Sequence, residues 1–399
     1  MNKKKYYSIF NNRFFYLLLL IPIFEPDIFK SFSATDNLFI ILKFIVLIIL
    51  GIRYFTLKKC GRFSLYTTLY CAGLILVTVV NNQDLFFVIK KTIECILVSM
   101  LLEIGFYYNG TLTCKWIFNY LFFLVLIDLI LFIIFPKGLL EANMNSTNYK
   151  MYFLGIKNGM INWMVLGAIL GLVYYTSSAN TKFLKKIYFF FFLAMISILF
   201  TGSTTGILTF TIFLAYYFCS KFFKFRLSLG RVIPILVLMY LAIIVFRVQN
   251  YIPKVFFDLF GKDTSFSGRD NLWNFAWLYF RQRPIFGNGL REISLINFYG
   301  RSFSAHNFIL ELLMDGGVFQ FSLFIIILVV LILKIRKCKY QVLKNHLTMS
   351  FILFFITSLV GANIYAYHWF AVWTIIYTSE LFDQEIRNKV QYLNIYEKK

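Results

Sequence analysis

The chain reads as an all-α protein, a polytopic bundle of about twelve membrane-spanning helices. Three observations predict this: 60% of its 399 residues are hydrophobic, only 15% are charged, and mean hydropathy is +0.72. A soluble domain of ordinary composition has about 45–50% apolar and about 25% charged residues, so one globular core cannot absorb this much apolar surface. Disorder, a collagen-like fibre and a disulfide-stapled scaffold are excluded by the same figures.

The first element begins with Lys3, Lys4, Lys5 and Arg13, followed by an apolar run from Phe14 to Phe24. This resembles the start of a signal peptide, but Glu25-Pro26-Asp27 follows in place of a small-residue cleavage site. An uncleaved first span with its basic side in the cytoplasm is expected. Runs long enough to cross lie at 14–32, 37–55, 63–80, 86–105, 116–135, 160–176, 187–202, 204–220, 232–248, 318–333, 347–362 and 364–382. The first is interrupted by Pro22 and Glu25, and the fourth carries Lys90, Lys91 and Glu94. The seventh and eighth form a tight hairpin turning at Gly202-Ser203. With the N-terminus inside, 25 of the 40 lysines and arginines fall in cytoplasmic segments, as the positive-inside rule requires. Both termini are then cytoplasmic, and most of the net charge of +22 is a topology signal rather than a footprint for nucleic acid. Cys71, Cys95 and Cys219 lie in or beside apolar runs, and Cys60, Cys114 and Cys338 lie in cytoplasmic stretches. There is no CxxC, so neither a disulfide nor a thiol metal site is expected.

Three parts follow: helices 1–9 over 1–248, an extracytoplasmic loop over 249–317, and helices 10–12 with a cytoplasmic tail over 318–399. The loop is the longest connection, and long loops in compact architectures usually carry function. A shorter outward stretch, 136–159, contains a polar run from Asn143 to Asn148. No internal repeat is visible, which gives no support to a transporter of duplicated halves.

Within the long loop, Leu272, Trp273, Ala276, Trp277 and Phe280 recur at helical spacing. Ser267 or Asp270 can cap that helix and Pro284 ends it. Its tryptophans suit the headgroup level, so it is expected along the membrane surface, with Arg269, Arg281 and Arg283 among lipid phosphates. Pro284-Ile285-Phe286-Gly287-Asn288-Gly289-Leu290-Arg291 follows, a turn whose amides could cup a phosphate. The third element runs from Ser304 to Gly317: a helix capped by Ser304 and stopped by Gly316-Gly317. His306 falls in its first turn, where the helix dipole and basic surroundings keep the imidazole neutral and able to accept a proton. Glu311 and Asp315, one turn apart, could orient it. Elsewhere, Asp128 within an apolar run is a functional candidate by default, but a structural role is favoured, either protonated or paired with Lys43. His368 suits interfacial packing, and His346, at a cytoplasmic helix start, is expected to be solvated.

Gly268-Arg269 before Trp273, Pro284 before Gly287-x-Gly289, and His306-Asn307 eleven residues before Gly317 occur in that order. Together with Phe200-Thr201-Gly202-Ser203 at an outward hairpin tip, they resemble the O-antigen ligase / Wzy-type polysaccharide polymerase family over about residues 200 to 320. One departure is visible: where the family commonly has an arginine after the tip serine, this chain has Thr204 and Thr205. The resemblance implies a metal-independent glycosyltransferase of the bacterial plasma membrane that polymerises undecaprenyl-diphosphate-linked oligosaccharide repeats into capsular polysaccharide, exopolysaccharide or O-antigen. His306 would be the base and Arg269 would stabilise the leaving diphosphate. Gly287, Gly289 and Asn307 would contribute to diphosphate binding. Arg247, or next Arg291, would stand in for the missing arginine. No cofactor is expected. Membrane lipid, and the flippase and chain-length regulators of the same pathway, are the expected partners. A ligase that moves finished glycan to another acceptor is the alternative within the same chemistry, and a lipid-linked sugar flippase is the alternative from another class.

Overall fold

The computed structural model describes residues 10, 12–57, 62–144, 147–178, 180–223, 226–251, 269–291, 296–298, 301–361 and 364–396. Ser267 and Gly268, Cys60 and the Lys3–Lys5 run lie outside the described residues. The described residues are mostly helical, as expected, and among them seven helices are long and apolar enough to cross a membrane. These are α2 (Ser33–Thr56), α3 (Phe63–Val80), α5 (Thr111–Ile134), α6 (Met160–Ser178), α7 (Thr181–Thr201), α8 (Thr204–Phe222) and α11 (Phe308–Lys337).

The other expected spans take different forms. α1 (Arg13–Ile23) stops after Pro22 and gives way to a 3-10 turn at Asp27–Ser31, so 14–32 is not one continuous helix. α4 (Leu85–Asn109) is continuous but carries its charges inward. α9 (Leu229–Tyr240) continues as a π-helical turn over Leu241–Val245. α12 spans Gln341–Ser358, and 364–382 is divided into α13 (Tyr367–Tyr377) and α14 (Ser379–Tyr396). Two small sheets depart from an all-α fold: antiparallel β1 (Leu140–Met144), β2 (Thr147–Tyr152) and β3 (Gly155–Ile156), and the hairpin β4 (Ile296–Phe298) with β5 (Arg301–Phe303). Both lie in the connections expected to face outward, where backbone groups beyond a helix end must pair with one another.

α6 is the centre of the bundle. It packs on α5, α7, α8, α12, α13 and α14, and 89% of its apolar window is buried. The hairpin tip between α7 and α8 forms where expected. Gly202 adopts the left-handed conformation at φ 63°, and Ser203 caps α8 by accepting from Gly206 N while donating to Asn158 Oδ1 at 3.0 Å.

The buried charges pair differently from the expectation. Lys43 does not meet Asp128; its Nζ lies 2.7 Å from Glu25 and 2.6 Å from Glu94, with all three side chains buried. Asp128 instead accepts from Leu154 N at 3.0 Å, tying α5 to the three-stranded sheet. Helix ends explain the change. The break after Pro22 releases Glu25 from helical register and turns it toward Lys43 and Glu94, while Asp128 meets a backbone donor that the β2–β3 turn leaves free. His346 is likewise not solvated: it is buried, with Nδ1 3.1 Å from Tyr216 OH, because α12 packs against α8 there. His368 packs as expected, its ring 4.4 Å from Trp163.

Removing one partner of a fully buried ion pair leaves an uncompensated charge, an effect of about 3–5 kcal/mol. Lys43→Met should therefore lower the thermal unfolding midpoint of detergent-purified protein, and adding Glu25→Gln should restore part of the loss. An unchanged midpoint in Lys43→Met would show the cluster to be dispensable for the bundle.

Candidate active site

The loop helix α10 (Arg269–Gln282) forms where its periodicity predicts, but it buries its apolar face against protein. Leu272, Trp273 and Ala276 pack with Ala305, Leu310, Met314 and Ile296 in a satellite core, flanked by Ile243 and Ile244 of the π-helical turn. Trp273 is almost fully buried, so it does not lie among headgroups. Trp277 is the exposed tryptophan of this helix, with the Arg281 guanidinium 5.6 Å from its ring. Arg269 continues the buried stripe by the spacing 269, 272/273, 276, which directs it toward the start of α11.

α11 does not begin at Ser304. Its cap is Asn307, whose Oδ1 accepts from Leu310 N at 3.0 Å, so His306 precedes the helix instead of lying in its first turn. His306 has φ +48°, a left-handed conformation that costs a non-glycine residue about 1–2 kcal/mol. Its neighbours hold it there. Glu311 accepts from Ala305 N, and Asn307 also accepts from Tyr240 OH and donates to Leu359 O at 3.2 Å. Asn307, expected to contact the diphosphate, is fully buried with both amide atoms engaged by protein, and so acts as a positioning residue. Glu311, expected to orient the imidazole directly, instead fixes the backbone beside it.

The structure brings Arg269 and His306 together. Burial, helped by the Arg269 charge, pushes the imidazole down to about 4 from its ordinary value near 6.5. At neutral pH the ring is therefore uncharged, as a base must be. Of the two causes read in the sequence, the basic surroundings act through Arg269, while burial takes the place of the helix dipole. Neither side chain hydrogen-bonds to a described residue, and among the described residues no carboxylate forms an ion pair with Arg269. A desolvated guanidinium with no counterion among the described residues has the chemistry to accept an anion.

The Gly287-x-Gly289 turn has another task. α11 is kinked at Gly317 (φ 63°, ψ −167°), which frees the carbonyls of Met314 and Asp315 from the helix ladder. Asn288 N donates to Met314 O at 3.0 Å and Gly289 N to Asp315 O at 2.8 Å; in return, Val318 N and Phe319 N donate to Pro284 O (2.8 Å) and Ile285 O (3.0 Å). The turn is inserted into the broken helix, and the amides expected to cup a phosphate are engaged there. A Cβ on Gly317 would lie 2.3 Å from Ile285 O, and one on Gly287 would lie 2.5 Å from the Asp315 backbone. Both glycines also have positive φ, so close approach and backbone conformation each require glycine.

Of the two substitute cations, Arg247 ends the π-helical turn with φ +50° and donates to Asn274 Oδ1 on α10. Arg291 lies toward the opposite end of α10, where it donates to Asn288 O at 2.7 Å. No sequence signal points to Tyr240, which fastens Asn307. It lies on α9, far from Asn307 in the chain, and is brought close only by packing.

Residues 189–325 match the family described as O-antigen ligase. The resemblance carried by the motifs is therefore borne out over a stretch that includes the α7–α8 tip, α10, Arg269, His306 and the kink of α11. A comparison with curated proteins gives no match. The protein is a multi-pass membrane protein with an O-antigen-ligase-type region.

With only three histidines in the chain, the His306 titration can be followed by NMR of histidine-labelled protein in detergent. Its midpoint should fall near pH 4, and Arg269→Gln should move it upward by removing the adjacent charge, while burial keeps it below 6.5. A wild-type midpoint at 6 or above would show the ring to be solvated. Separately, Gly317→Ala should expel the 284–290 turn, making the Phe286-Gly287 bond accessible to chymotrypsin, while Gly202→Ala leaves that bond protected.

Proposed function

We propose that the protein polymerises undecaprenyl-diphosphate-linked oligosaccharide repeats on the outer face of a bacterial plasma membrane, with the 249–317 loop outside. The observation that carries this reading is the neutral His306 imidazole beside the Arg269 guanidinium, which has no ion-pair partner among the described residues. Glycosyl transfer from a lipid diphosphate needs those two groups and little else. The hydroxyl at the non-reducing end of one repeat attacks the anomeric carbon of another, and its proton passes to His306. The bond from that carbon to the diphosphate oxygen breaks, and the negative charge that the departing diphosphate gains is stabilised by Arg269. The diphosphate is already an activated leaving group, so the step calls for no nucleotide and no metal. A single displacement inverts the anomeric centre. Arg247, held on α10 by Asn274, supplies further positive charge on the same helix.

The family description also favours a second reading, in which finished glycan is moved from the lipid to a different acceptor. The chemistry at His306 and Arg269 is the same in both cases, and the accumulating intermediate distinguishes them.

His306→Ala and Arg269→Ala should each abolish long polymer by at least a hundredfold while protein level is unchanged and single-repeat lipid-linked material accumulates. Accumulation of long chains on the carrier would support the ligase reading. Normal chain length in either variant would remove that residue from the reaction.

A further inference from the structure

The far end of α10 carries a second pair of cations. Arg283 directly follows the helix, and its Nη1 donates to Asn81 Oδ1 in the turn after α3. Leu290 N donates to Thr78 Oγ1 at 3.2 Å, which holds the neighbouring Arg291 over the same end of α3. The charges of Arg283 and Asp315 both act on Arg291, but among the described residues no carboxylate is within ion-pair distance of either arginine. Arg291 Nε is buried and donates to no described group. Arg283 is exposed. Beside the pair, Ile285 is 64% exposed and Val318 48%, and this apolar strip continues down α11 through Ile325, Ile326 and Val329. The site therefore combines anion-binding groups with a path for a hydrocarbon chain. At about 1.5 Å per residue, α10 separates Arg283 from Arg269 by about 20 Å.

We propose that Arg283 and Arg291 bind the diphosphate of the acceptor lipid, with its prenyl chain on the Ile285–Val318 strip, while Arg269 faces the donor diphosphate. This rests on the polymerase reading, in which both substrates are lipid diphosphates. The acceptor reacts at its non-reducing end, one whole repeat away from its own diphosphate. Its anion site must then stand well apart from His306, at the membrane surface. Two such sites at the ends of α10 meet that requirement, and about 20 Å exceeds the screening length of about 8–10 Å at physiological salt, so the two diphosphates barely repel. An enzyme whose acceptor carries no lipid diphosphate has no use for the second pair.

The test uses the full-length protein in nanodiscs. The donor is a lipid-linked repeat blocked at its non-reducing hydroxyl. The acceptor is the same saccharide on a prenyl diphosphate with a non-cleavable carbon linkage, or on an uncharged prenyl anchor. Arg283→Gln and Arg291→Gln should each raise KM for the diphosphate acceptor about tenfold, the loss of one charge-assisted contact. The donor KM and the KM for the uncharged acceptor should not change, and Arg283→Lys should recover part of the effect. Equal changes with both acceptors, a raised donor KM, or no change at all would each overturn the assignment. Failure of the wild-type protein to join the donor to either acceptor would instead overturn the polymerase reading beneath it.

Discussion

The organisation of the candidate site depends on the insertion of the 284–290 turn into the break in α11. A helix kinked at Gly317 leaves Met314 and Asp315 carbonyls and Val318 and Phe319 amides without their usual partners. Each such group, if left unpaired, costs about 1–3 kcal/mol. The turn satisfies all four, and because it leads directly out of α10, it fixes that helix against the first half of α11. The satellite core then closes between them, and Arg269 is set beside His306. One backbone irregularity thus positions the loop on the bundle, with glycine on both sides of the contact because no side chain fits.

Elsewhere in the bundle, charge is buried between helices. Lys43, Glu25 and Glu94 lock α2, α4 and the segment after α1 together, and Lys30 joins them through Asp27 and Glu94. Such pairs add little stability compared with apolar packing, but they strongly penalise any arrangement that separates them. The cluster therefore acts as a register pin for helices whose apolar surfaces alone would slide. On its other side, Tyr367 packs over Lys30 and His368 against Trp163, which ties α13 and α6 to the same frame.

The electrostatics of the site follow from this rigidity. An imidazole beside a guanidinium is poor as a cation and good as a proton acceptor, and its segment must be held in place for the two to stay together. Asn307, Glu311 and Tyr240 supply that hold through backbone and side-chain hydrogen bonds that never touch the ring. The positive φ of His306 is the geometric record of it.

The sequence by itself determined that the chain is a helical membrane protein, where the α7–α8 hairpin turns, and that α10 forms between residue 269 and Pro284. These features rest on local hydropathy and on local turn and capping chemistry. It also singled out His306 and Arg269 through the order and spacing of their motifs, a one-dimensional property, and both fall within the O-antigen ligase match. Only the tertiary structure decided the partners of buried polar groups. Lys43 chose Glu25 and Glu94 over Asp128, Asn307 became a cap, the Gly287-x-Gly289 amides went to α11, and Arg291 settled at the opposite end of α10 from Arg269. A hydrogen bond is settled by which donor and acceptor packing brings within 3 Å, and residues far apart in the chain carry no mark of that meeting in their order.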